Sequence, residues 1–169
     1  IPRLLYNHVM EITWDLFIIL VFGVFVIYGA LIGRNKILGI LVNLYIALAV
    51  ILVAGDFIYD FASNFQLITN SVIVTEFGTK TLAMVLITGI LTIKSEVSGL
   101  DSGNSLSKIM TALYGFLAAG LFLSAAFYFM SPSELLAVDS NFANIVYNLR
   151  AAWVLAPVAL IIGGSFIKR

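Results

Sequence analysis

The chain has 169 residues, of which 62% are hydrophobic and only 11% charged, a balance from which no water-soluble surface can be built. Nine Lys and Arg offset nine Asp and Glu, so no cationic footprint exists to draw nucleic acid. The lack of cysteine removes disulfides, thiolate metal sites and thiol nucleophiles. What remains is an all-α polytopic membrane bundle with the lipid bilayer as its first partner.

A helix rises about 1.5 Å per residue, so a hydrocarbon core about 30 Å thick needs roughly 20 apolar residues. Trp14 to Ile32 meets this requirement, with Asp15 at its head, and closes at the turn Gly33-Arg34-Asn35-Lys36. Ile37 to Ile58 is the second span, carrying Asn43 and Asp56, and is expected to form a tight hairpin with the first. Tyr59 to Thr69 mixes aromatics with Asp60, Ser63, Asn64 and Gln66, which predicts a loop or a short interfacial helix.

The third span is long enough only if it begins near Ser71, and it then carries Glu76 and Lys80 at the i, i+4 spacing of an ion pair. Lys94 to Lys108 is rich in Ser, Gly, Asp and Asn and reads as a loop. Helix 4 follows from Ile109 to Met130. Ser131-Pro132-Ser133-Glu134 has the form of a capping box with proline at the first helical position, predicting a short surface helix to Val138. Past Asp139-Ser140-Asn141, a last helix is expected from Phe142 to Ile167, kinked near Ala156 by Pro157. These elements make one integral membrane domain with spans 12–33, 37–58, 71–93, 109–130 and 144–167.

Five spans place the first turn (Arg34, Lys36), the third loop (Lys94, Lys108) and the C-terminus (Lys168, Arg169) on one side, six of the nine basic residues. The positive-inside rule then sets the N-terminus outside and the C-terminus in the cytoplasm. Trp14, Tyr59, Tyr147 and Trp153 fall near the outer boundary and Phe166 near the inner one, as an aromatic belt requires. Ile1 is not an initiator methionine and Pro2 to Met10 lacks the form of a signal peptide, which leads us to expect further residues ahead of Ile1.

In lipid, helices associate through small residues that let backbones approach. Gly29 and Gly33 form a GxxxG at the end of helix 1, with Gly39 and Asn43 across the turn on helix 2. Gly115 and Ala119 lie four apart on helix 4, with Gly120 and Ser124 on an adjacent stripe. These residues serve packing within the chain or an oligomer face, and Asn43 fits a cross-helix hydrogen bond.

The polar groups concentrate toward the outer side. His8, Glu11 and Asp15 stand at i, i+3 and i+7, one face of a helix that extends back to residue 8. Asp56 and Asp60 end helix 2 at the same depth, and Glu76 with Lys80 begins helix 3 there. If they converge, these carboxylates suit a divalent cation or proton relay; if not, they are ordinary interfacial charges favoured at helix starts. Asp56 and Asp60 oppose the dipole at a helix C-terminus and should seek Lys80, Arg150 or Arg3. Arg150 fits either a snorkelling cation or a permeation group. No GxSxG, HExxH, P-loop or paired cysteine is present, so catalysis, a cofactor and a His-rich metal site are all disfavoured.

The N-terminal hairpin resembles the colicin V production protein family: Trp14-Asp15-Leu16 at the head of an apolar span, Gly29 and Gly33, then Arg34 and Lys36, then a second span opening at Ile37. A second block, Gly99-Leu100-Asp101 to Asn104 running into helix 4 through Gly115, is similar to that family's polar loop and glycine-bearing helix. The resemblance implies a small bacterial inner-membrane protein, non-enzymatic, linked to bacteriocin export and envelope homeostasis. The rival readings are an ion or proton channel using Asp15, Asp56 and Glu76, and an accessory subunit of a larger membrane complex. A homo-oligomer or a membrane protein partner is expected in each case.

Overall fold

The computed structural model describes residues 2–64, 75–94, 105–138 and 140–166, with side chains placed for 14–64, 75–94, 108–138 and 140–162. Those residues form seven helices: α1 (Pro2–Ile32), α2 (Arg34–Asn64), α3 (Glu76–Lys94), α4 (Ser105–Tyr128), α5 (Pro132–Ala137), α6 (Asn141–Asn148) and α7 (Arg150–Phe166). No strand occurs among the described residues, so the bundle is all-α as composition requires. Four helices are long and apolar enough to cross a membrane, and the number rises to five if the bent pair α6 and α7 counts as one span.

Some boundaries shift by a few residues: α2 already begins at Arg34, inside the expected turn, and α4 begins at Ser105, inside the expected loop, and ends at Tyr128 rather than Met130. Three larger differences from the sequence expectation stand out. First, α2 runs unbroken to Asn64, so Tyr59 to Asn64 prolong the second span and are not a separate loop; 65–69 lie outside the described residues. Second, the described start of α3 is Glu76 rather than Ser71. The hydroxyl of Thr75 caps it by accepting from Gly78 N at 3.0 Å, which satisfies one of the donors that a helix start leaves open. Third, the single last helix is two helices bent by 60°. The break falls at Leu149 and not at Pro157, which sits fully buried inside a continuous α7.

The break at Leu149 has a packing cause. Ala143 and Val146 of α6 are buried against Ile18, Ala119, Leu123 and Phe127 of α1 and α4, while Trp153 of α7 lies on Gly120 of α4. The bend lets both pieces reach one cluster on α1 and α4, against which Trp153 also packs. The Tyr45 hydroxyl donates to Val154 O at 2.6 Å, tying α7 to α2 just above the proline turn.

α4 is the central element, touching α1, α2, α3, α6 and α7. Within its apolar window 67% of residues are buried, against 17% for α1 and for α3, so α1 and α3 keep their apolar faces for lipid. Small residues explain the role of α4. Ala118, Leu121 and Ala125 face the cluster built with Leu41, Ala47 and Met84, and Ala119 with Leu123 faces the one built with Ile18 and Val21. Short side chains on opposite faces let neighbours approach from both directions, which in lipid is the main source of attraction.

The expected hairpin partners are not each other's main neighbours. α1 makes its broadest contact with α4, α2 makes its own with α3, and the α1–α2 contact is among the slightest. Between α1 and α2, Gly33 has φ 85°, a left-handed conformation that glycine adopts without a Cβ penalty. It ends α1 as a turn residue, and so does not extend a packing face from Gly29.

Candidate functional site

The α1–α4 seam is built from backbone. A Cβ on Gly29 would stand 2.7 Å from Thr111 O and 3.1 Å from Gly115 Cα, and one on Gly115 would stand 2.3 Å from Phe25 O. Gly29 and Gly115 therefore meet each other within the chain, with Thr111 fully buried beside them. Ala119 is buried one turn further along the same seam. Gly39 is half-buried on α2, and Asn43 donates from Nδ2 to Thr92 Oγ1 at 3.1 Å, joining α2 to α3.

The C-terminal end of α2 and the N-terminal end of α3 are joined by charge. Lys80 Nζ lies 2.7 Å from Asp56 Oδ1 and also pairs with Glu76 within its own helix. The lysine stem crosses Gly55, where a Cβ would stand 3.2 Å from Lys80 Cε, so the glycine leaves the arm its path. Asn43 to Asp56 is 13 residues on α2, and Lys80 to Thr92 is 12 on α3. The two ties thus sit about 20 Å apart on both helices and fix an antiparallel register. Asp56 itself is 90% exposed, so the pair is a register device of small energy.

The remaining polar residues go elsewhere. Asp15 accepts a hydrogen bond from the Ser140 hydroxyl, and Ser140 Oγ also accepts from Ala143 N at 3.1 Å as the N-cap of α6. Arg150 lies over the Tyr147 ring, 5.4 Å from its centroid. The backbone carbonyl of Asp60 accepts from Ser63 and Asn64, and that residue is exposed. The expected outer constellation is thus divided into an α2–α3 ion pair, an α1–α6 latch and an arginine on a tyrosine. Among the described residues no group of three potential metal ligands comes together. His8 and Glu11 are on the helical stretch of α1, where their spacing does give one face, but their side chains lie outside the described ones, as does the Arg3 side chain.

Sequence reasoning misses three of these contacts. Ser140 is hidden in a polar stretch with the composition of a linker, although serine ahead of an amphipathic run is a capping signal. Gly55 carries no pattern. Trp153, expected in the outer aromatic belt, instead packs inside the bundle, with its ring centroid 5.8 Å from Phe22 and 5.5 Å from Phe116. The capping box, by contrast, is formed as its spacing predicts. Ser131 N donates to Glu134 Oε2 at 2.8 Å while Glu134 N donates to Ser131 Oγ at 3.3 Å.

The latch at Ser140 gives a direct expectation. Ser140→Ala removes both the cap of α6 and the donor to Asp15, and should lower stability in detergent by about 2 kcal/mol, with faster amide exchange confined to α6. Asp15→Asn retains an acceptor oxygen and should cost less. Equal, negligible losses in the two variants would remove the latch.

No family model, curated protein or solved structure matches this chain. Its class rests on its own residues, and the apolar helices are those of a membrane protein.

Proposed function

We propose that the chain is a non-enzymatic protein of the bacterial inner membrane, of the colicin V production type, acting in bacteriocin export or envelope homeostasis. It would sit with its N-terminus outside and its C-terminus in the cytoplasm. One observation carries most weight. The two segments that hold the resemblance, α1 with Gly29 and α4 with Gly115, form the most extensive helix contact in the bundle and meet backbone to backbone at those two glycines. Residues set apart in sequence but sharing one seam are what a common architecture needs. Gly99 to Asn104 lies outside the described residues.

A channel has less support. Asp56 and Glu76 are both engaged by Lys80 and Asp15 by Ser140, so these carboxylates do not line a shared path among the described residues.

The test is genetic and topological. Loss of the protein should sensitise the envelope to bile salts or detergent, and a cysteine placed at Lys168 should be blocked only by reagents that reach the cytoplasm. Normal detergent resistance together with external labelling at Lys168 would overturn the proposal.

A further inference from the structure

Two lateral grooves of about 410 Å³ each open between the helices, both within the range of small-molecule sites. They differ in charge. The groove between α1 and α3, lined by Val24, Phe25, Leu44 and Val85, has no charged lining residue. The groove between α2, α4 and α7 has Leu48, Leu52, Leu121 and Leu155 along its walls and a single charged lining residue, Arg150.

Arg150 occupies one end of that groove. α7 begins at Arg150 and α4 ends at Tyr128, and both line the groove, so its polar end is marked by Arg150, Tyr128 and the buried Ser124. From Tyr128 down to Leu121 is seven residues, about 10 Å of apolar wall. α7 starts at Arg150, directly after the 60° break at Leu149, and the long Arg150 stem can run along apolar surface while its guanidinium stays at the polar end of the groove. Arg150 is exposed, is stacked only on Tyr147, and has no carboxylate partner among the described residues. A guanidinium above an apolar slot is the complement of an amphiphile with a negative head.

We propose that this groove binds an anionic phospholipid, with the phosphate on the Arg150 guanidinium and one acyl chain along Leu52, Leu121 and Leu155. The positive end of the α7 dipole at the same position favours the same sign of ligand. Neither the resemblance nor the topology requires this site.

The experiment uses the purified full chain in a neutral detergent, titrated with dioleoyl phosphatidylglycerol or dioleoyl phosphatidylcholine and read by native mass spectrometry. Phosphatidylglycerol should bind about tenfold more tightly, because no choline cation neutralises its phosphate. Arg150→Gln should erase that preference, weakening phosphatidylglycerol several-fold more than phosphatidylcholine. Ala151→Trp places a ring in the groove from an exposed lining position and should weaken both lipids about tenfold, the apolar contact being lost; circular dichroism and a monodisperse elution profile verify that each variant is folded. Equal binding of the two lipids by the unaltered chain, or an undiminished preference in Arg150→Gln, would overturn the proposal. So would efficient disulfide dimers of Leu155→Cys, in a chain otherwise free of cysteine, because they would put a second copy in the groove.

Discussion

Gly115→Ala is expected to cost the protein about 3 kcal/mol, near the upper end for inserting a single carbon into a packed interior. The new Cβ would lie 2.3 Å from the carbonyl oxygen of Phe25 and 3.2 Å from Val26 Cα. Both are backbone atoms of α1, so no rotamer change relieves the contact and the helices must separate along their broadest seam. Separation also strips dispersion contacts from Gly29, Thr111 and Ala119, which lipid tails replace only in part. Gly23→Ala is the matched control, since nothing stands within 4 Å of that position, and it should change stability by less than about 0.5 kcal/mol. Unfolding by sodium dodecyl sulfate from mixed micelles measures both. Similar midpoints for the two variants would refute backbone contact at the α1–α4 seam.

Trp153→Ala should be nearly as damaging, at about 3 kcal/mol, the low end for aromatic truncation because the ring is only half-buried. The indole rests on Gly120 and packs against Phe22 and Phe116, so one side chain joins α7 to α4 and α1. Its Nε1 is buried without a hydrogen-bond partner among the described residues, and shape alone must therefore hold it. A double-mutant cycle isolates that fit. Gly120→Ala puts a carbon 2.1 Å from Trp153 Cε3 and should be costly in the native background, yet nearly neutral once Trp153 is leucine. The coupling should exceed about 1 kcal/mol, and strict additivity would show that ring and glycine do not interlock.

The spans were legible because bilayer thickness imposes a length that hydropathy reports directly. Trp14 to Ile32 and Ile37 to Ile58 fall within helices where length required them, and the helix expected over Ile109 to Met130 is present but ends two residues earlier, at Tyr128. The Glu76–Lys80 pair and the Ser131 box were legible because their geometry is local, set by three or four residues of one helix. Partner choice was not. Which face of α1 meets α4 depends on two glycines 86 positions apart (115 − 29), and GxxxG patterns do not name their partner. The break at Leu149 was hidden for a related reason. No Gly or Pro marks it, and Pro157, the conspicuous breaker, is accommodated inside α7. The bend brings Ala143, Val146 and Trp153 onto one cluster of α1 and α4, a destination that local sequence does not encode. Aromatics at Tyr59 and Phe61 concealed the continuation of α2, because a helix emerging from the hydrocarbon layer has the same composition as an interfacial loop.

The position of α4 also bears on how the protein is made. Synthesis delivers α1, α2 and α3 to the bilayer before the segment that packs against all three has left the ribosome. During that interval α2 can dock with α3 through Asn43 and Lys80, while α1 can only wait beside them, its glycine facing fatty acyl chains. Insertion of the fourth helix is then the committing event of biogenesis, and chains arrested short of Tyr128 should be substrates for membrane quality-control proteases.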